Sequence, residues 1–240
     1  MSAASPSAPT PAAPALDARA FDAPAPDTLT PDAPAPAGLT TAGPASVAPA
    51  PGARGRKPSA RERLLAAADE LFYAEGVHTV GIDRVIERAG VAKASLYSAF
   101  GSKEELVRAY LENRHQIRRR RLLAGLERFA NPRDRLLGVF DVLAELTATP
   151  GFRGCAFYNA SAESVARGGA VEQVSNANRA WTRGLFTELA RDAGVADPPA
   201  LADQLMIVYD GVSVGARMDQ QPGAASLGRM VAERLLDAVD

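Results

Sequence analysis

Lys93, Ala94, Ser95, Tyr97 and Ser98 make a small, hydroxyl-bearing surface within an eight-residue stretch, with Arg84 before it and Lys103 after it. Hydroxyl and ammonium groups donate to phosphate oxygens and base edges, and small side chains let a helix come close to a groove. The face carries no Arg, Asn or Gln, so it offers few bidentate base contacts; Lys93, Arg84, DNA shape and bridging water would share the reading. A generic solvated helix has a similar composition, so the ordered residues around this face must decide between the two. A second candidate is Cys155, the one cysteine of the chain, with Arg153 beside it. One cysteine excludes an intramolecular disulfide, and with only His78 and His115 it argues against a Cys/His zinc site. Neither histidine lies near it in sequence to serve as a base, and a nucleotide loop, a metal motif and a Gly-x-Ser-x-Gly turn are all missing, so a thiol enzyme is not expected.

The elements that must position the polar face are legible from spacing. Ile82, Val85, Ile86 and Ala89 fall at the i, i+3, i+4, i+7 spacing of one buried stripe, opposite Asp83, Arg84, Glu87 and Arg88. Gly90 follows the last helical residue, where a left-handed conformation lets the chain turn sharply. Val91, Leu96 and Phe100 give the next helix its apolar side. Upstream, Ser59-Ala60-Arg61-Glu62 reads as a capping box that starts a first helix with Leu64, Leu65, Ala68, Leu71 and Phe72 inward, ending at Gly76. Downstream, Ser102-Lys103-Glu104-Glu105 starts a long fourth helix that continues through Arg118–Arg121 and beyond. Four consecutive arginines spread around all faces of a helix, so a solvated or salt-bridged role is expected for that run.

The ordered set Glu75-Gly76-Val77, Ile82-Asp83-Arg84-Val85-Ile86, Ala89-Gly90-Val91-Ala92-Lys93-Ala94-Ser95-Leu96-Tyr97 and Phe100-Gly101-Ser102-Lys103-Glu104-Glu105-Leu106 resembles the N-terminal domain of TetR/AcrR-type bacterial regulators. The family usually has Ser or Thr where Ala92 stands, and commonly His where Ala99 stands. The resemblance implies a helix-turn-helix with Tyr97 and Lys103 on phosphates and Ala94, Ser95 and Ser98 toward bases. It also implies a homodimer whose last two helices pair in a four-helix interface, a double-stranded operator and a small-molecule effector. Gly154-Cys155 with Asn159 and Glu163 is similar to a Gly-Cys-x-x-x-Asn-x-x-x-Glu segment in one branch of the family, where that helix borders the effector pocket. Phe140, Cys155, Phe157, Tyr158, Asn159, Trp181, Met206 and Tyr209 are the candidate lining; the alternative for the aromatics and Met206 is plain core. For Cys155 the alternatives are a redox or electrophile sensor and a small buried packing thiol.

Composition supplies the frame. Twelve of the 18 prolines lie in residues 1–56, an Ala/Pro/Ser/Thr-rich stretch with Phe21 as its one aromatic, and this reads as a disordered, partly polyproline-II tail. It lacks a basic start followed by an apolar run, so it does not read as a secretory signal. Nor does the chain contain an uninterrupted apolar run near 18 residues, so membrane spanning is not expected and a cytoplasmic location is. The net charge of −1 hides a split: residues 57–121 carry 13 basic against nine acidic side chains, and residues 122–240 carry 11 against 15. Positive charge thus collects around the polar face, as phosphate neutralisation requires. Arg54, Arg56 and Lys57 read equally as a flexible groove-reaching arm or a bland basic linker. Apolar segments with helical periodicity around Leu136–Leu146, Val174–Leu189, Leu201–Arg217 and Ala225–Val239 complete the pattern. The expected architecture is all-α: a tail (1–56), a three-helix helix-turn-helix domain (57–103) and a helical effector-binding and dimerisation bundle (104–240), with no cofactor or metal.

Overall fold

The computed structural model describes residues 56–164, 168–219 and 223–239. The expected tail lies outside these residues except for Arg56, and so does Arg54 of the expected arm. Arg56 pairs with Glu62 at 2.6 Å.

Every regular element among the described residues is a helix. α1 is Ala60–Glu75, α2 Ile82–Ala89, α3 Lys93–Phe100, α4 Lys103–Leu126, α5 Pro132–Thr147, α6 Ala156–Glu163, α7 Ala170–Asp192, α8 Pro198–Asp219 and α9 Ala224–Asp237. The starts follow local chemistry. Ser59 Oγ accepts from the Glu62 N–H at 3.2 Å while Glu62 accepts from the Ser59 N–H at 2.6 Å, the reciprocal box that satisfies two end donors. Ser102 caps α4 through the Glu105 N–H, and Asn131 caps α5, whose first residue is Pro132. None of the described helices is long and apolar enough to cross a membrane.

Two hydrophobic cores organise these helices. The first gathers α1, α2 and α3 with Leu106, Val107, Tyr110 and Leu111 of α4, and it also takes in Ala156, Phe157 and Ala160 of α6 and Val174 of α7. The second joins Leu122 and Leu126 at the far end of α4 to α5, α7, α8 and α9. At 1.5 Å per residue the 24-residue α4 is about 36 Å long, enough to serve both. Residue 103, the boundary expected from sequence, precedes four α4 side chains that the first core buries.

Candidate functional site

Gly90 has φ 62°, the left-handed conformation that lets α2 end and α3 leave in a new direction. Its carbonyl accepts from Arg63 Nη1 at 3.1 Å, which ties the turn to α1. Leu96 is fully buried and Phe100 nearly so, with the Arg61 guanidinium 4.8 Å over the Phe100 ring, so α3 is anchored by one face. The opposite face holds Lys93, Ala94, Tyr97 and Ser98 exposed, with Ser95 half-buried. Tyr97 is 46% exposed. Ala92 at the N-cap supplies no side-chain acceptor, leaving the first α3 donors without that help.

The cations around this face differ in readiness. Arg84 forms a two-bond pair with Glu75 at 2.6 and 2.9 Å, and that hydrogen bonding holds the Glu75 carboxyl below its ordinary range. Lys93 Nζ sits 3.0 Å from Asp83, whose hydrogen bond raises the lysine above its usual value. Both pairs are exposed, so both are screened by salt. Lys103 is half-buried at the start of α4, and burial lowers its pKa against the opposing pull of Glu163.

A cavity of about 340 Å³ lies where the two cores meet, walled by α1, α4, α5, the 149–155 segment, α6 and α8. Its apolar wall includes Ile117, Leu143, Leu146, Phe152 and Phe157, and its polar wall Asp69, Tyr73, Arg114, Arg118, Arg121 and Tyr209. Of the expected lining, Cys155, Phe157 and Tyr209 face this cavity. Phe140 and Met206 are buried in the second core instead, Phe140 stacking against Phe186 and Tyr209. Trp181 packs edge-on against His115 at 5.6 Å and lies 5.7 Å from the Arg119 guanidinium. Tyr158 is exposed, and with Asn159 borders a neighbouring depression of about 380 Å³. A larger depression of about 880 Å³ is walled mostly by small residues and holds none of the expected site residues.

Arg118 departs from the solvated or salt-bridged role expected of its run. It turns inward, donating from Nε to Tyr209 Oη at 3.1 Å and from Nη1 toward Cys155 Sγ at 3.8 Å. The cation at the thiol is therefore Arg118; Arg153 is exposed, and its backbone N–H donates to Tyr73 Oη. A signal for this was present: Arg118 lies seven residues after Leu111 and four before Leu122, on the stripe that α4 buries. The runs around it masked that phase. His115 Nδ1 meets Asn178 Oδ1 at 3.1 Å, and among the described contacts no base reaches the thiol.

The Gly154, Cys155, Asn159, Glu163 series holds α6 in place. Gly154 has φ 86°, a conformation that side chains rarely adopt, and an added Cβ would come within 2.9 Å of the Arg217 side chain, which would have to shift. Its carbonyl accepts from Tyr73 of α1 at 3.0 Å. Asn159 bridges the Arg153 carbonyl and Arg217. Glu163 accepts from the backbone N–H of His78 at 2.8 Å, joining the end of α6 to the turn between α1 and α2. Cavity wall and reading face thus share rigid elements.

Comparison with known proteins agrees with this geometry. The family model for bacterial regulatory proteins of the tetR family matches residues 64–110. The crystal structure of SCO4454, a TetR-family transcriptional regulator from Streptomyces coelicolor, is 32% identical, covering 75% of this chain and 95% of its own, with a TM-score of 0.70. The sav143 regulator of Streptomyces avermitilis is 33% identical over 76% of this chain and 99% of its own, with a TM-score of 0.68. The HTH-type transcriptional activator FasR of Mycolicibacterium smegmatis is 31% identical over 146 residues, 60% of this chain; the match spans 65% of FasR, just under two thirds of its length.

Proposed function

This chain belongs to the TetR family of bacterial regulatory proteins, helix-turn-helix transcriptional regulators, and on that premise we propose that it acts in the cytoplasm as a homodimeric repressor released by a small molecule. Two α3 helices would enter successive major grooves of a palindromic operator, about 34–36 Å apart. The observation that carries the effector half of this reading is the position of the cavity. Asp69 and Tyr73 of α1, Arg118 of α4 and Cys155 beside α6 all line it, and those helices also pack into the core that holds α3. A ligand that fits one arrangement of these helices better than another shifts the population of α3 positions, and with it the operator affinity.

Support for the dimer comes from α8 and α9. Ile207 and Met218 of α8 and Leu227, Met230 and Val231 of α9 are exposed, and Ile207, Gly211 and Met218 follow one helical stripe. An apolar two-helix face of this kind suits a self-complementary pairing.

Footprinting of the DNA beside the gene, followed by binding of the Tyr97→Ala/Lys103→Ala variant, tests the reading head. Binding is expected to vanish with the helical circular dichroism unchanged; retained binding removes Tyr97 and Lys103 from the phosphate contacts. Gene deletion is expected to raise transcription from the footprinted promoter, and a fall would make the protein an activator, as FasR is named. A second reading makes oxidation of Cys155 the trigger, favoured by the thiol's place in the cavity wall against Arg118. Under it, Cys155→Ser abolishes oxidant-driven operator release; full retention of that release rejects it.

A further inference from the structure

We propose that the cavity at Arg118 takes an amphipathic monocarboxylate, an apolar body carrying a single carboxylate, as its ligand. The inference rests on the effector-responsive reading above and names the chemistry of that effector.

Arg118 is the reason. A guanidinium stays charged at every pH a protein meets, and removing it from water is costly unless an anion compensates. Its partners among the described residues are the Tyr209 hydroxyl, the Cys155 thiol and the face of the Tyr209 ring at 4.9 Å, all neutral, with no carboxylate in reach. Arg114, one turn earlier on the same side of α4, shows the contrast: it holds Asp69 through two bonds of 2.6 and 2.9 Å and lies 3.9 Å over the Tyr73 ring. Arg114 and Asp69 therefore satisfy each other. Three arginines line the cavity against that one acidic side chain, and Arg121 among them is exposed to solvent. One half-buried cation is left for a ligand.

Tyr209 supplies a second donor. Its hydroxyl accepts from Arg118, and among the described residues it donates to none, so its proton is available to an incoming oxygen. Burial raises the phenol's pKa, though Arg118 opposes this, which keeps that proton in place at neutral pH. A guanidinium edge and a phenol O–H side by side suit the two oxygens of a carboxylate. Beyond them Leu143, Leu146, Phe152, Phe157 and Ile117 present hydrocarbon. The volume falls at the small end of the roughly 300–1,000 Å³ of small-molecule sites. A cationic ligand would meet excess positive charge; a neutral one would bury the guanidinium further without compensating it.

Isothermal titration of the full chain with hexanoate, octanoate, decanoate and 4-phenylbutyrate, each against its primary amide, tests this directly. The rate at which Ellman's reagent labels Cys155 gives an independent readout of cavity occupancy. At least one acid is expected to bind tenfold or more tighter than its amide and to slow Cys155 labelling at least tenfold. Arg118→Gln should bring acid and amide within threefold of each other, while Arg118→Lys should keep part of the preference. Equal affinity for acid and amide in the unaltered protein, no binding by any of the acids, or an undiminished acid preference in Arg118→Gln overturns the proposal. The acid/amide comparison needs no variant, so it stands even if a substitution at Arg118 fails to fold. Operator binding separates the two readings: Arg118-dependent acid binding that leaves the operator complex intact refutes effector control and keeps the site. Release by an uncharged compound without acid binding does the reverse.

Discussion

Arg84 of α2 and Tyr97 of α3 are both exposed yet differ in what they must give up to touch DNA. Tyr97 is already exposed, whereas Arg84 would have to leave a two-bond pair with Glu75. Arg84→Ala is therefore expected to weaken operator binding severalfold less than Tyr97→Ala in a fluorescence-anisotropy titration; an equal loss would mean that Arg84 exchanges Glu75 for phosphate in the complex. The same variant has a signature in the free protein. Glu75 titrates below its unfolded value because of Arg84, so the pair's stabilisation is present above that unfolded value and is lost as pH falls through the lower, folded one. Arg84→Ala should move the Glu75 midpoint upward by NMR and flatten the acid side of the stability profile. The exposed face of α3 was legible at this scale because a short helix between two turns, with Leu96 and Phe100 inward, leaves little choice of face. Arg118 was not, because within Arg118–Arg121 composition says surface and only the register set by Leu111 and Leu122 says otherwise.

Local signals account for why the elements themselves were readable. Ser59 with Glu62, Gly90, Ser102 and Asn131 with Pro132 act within four residues of where they stand, so the ends of α1, α2, α4 and α5 follow from short stretches of sequence. The start of α3 lacks such a signal, since Ala92 leaves the helix without a side-chain acceptor. Ala92→Ser is expected to add about 0.5–1 kcal/mol to the stability of the reading head, and Ser59→Ala to remove about 1 kcal/mol. Urea unfolding followed at 222 nm checks both; an unchanged midpoint for Ala92→Ser would show that the α3 end is already satisfied by solvent. Placement of α6 was not readable in this way. Nothing within Ala156–Glu163 announces that Phe157 joins the core of α1 to α3, since the ties that place α6 there, Tyr73 to Gly154 and Glu163 to His78, join residues some eighty positions apart.

At the scale of the molecule, the exposed apolar residues of α8 and α9 are the surface on which the proposed dimer rests. Replacing Ile207 and Leu227 together by Glu should halve the mass seen by light scattering while preserving helicity. Operator affinity should fall by well over tenfold, because one half-site then holds one protomer. A dimer that survives this change would place the pairing surface elsewhere. The two-core arrangement has a different kind of consequence, for how such regulators can be recombined. Ala156, Phe157 and Ala160 share a core with α1 to α3 although more than fifty residues separate them from α3 in sequence. A graft joined at Lys103 would put Leu106, Tyr110 and Leu111 of the recipient against foreign helices and leave Phe157 without its partners. The transplantable unit is discontinuous: α1 through the middle of α4, carried together with α6.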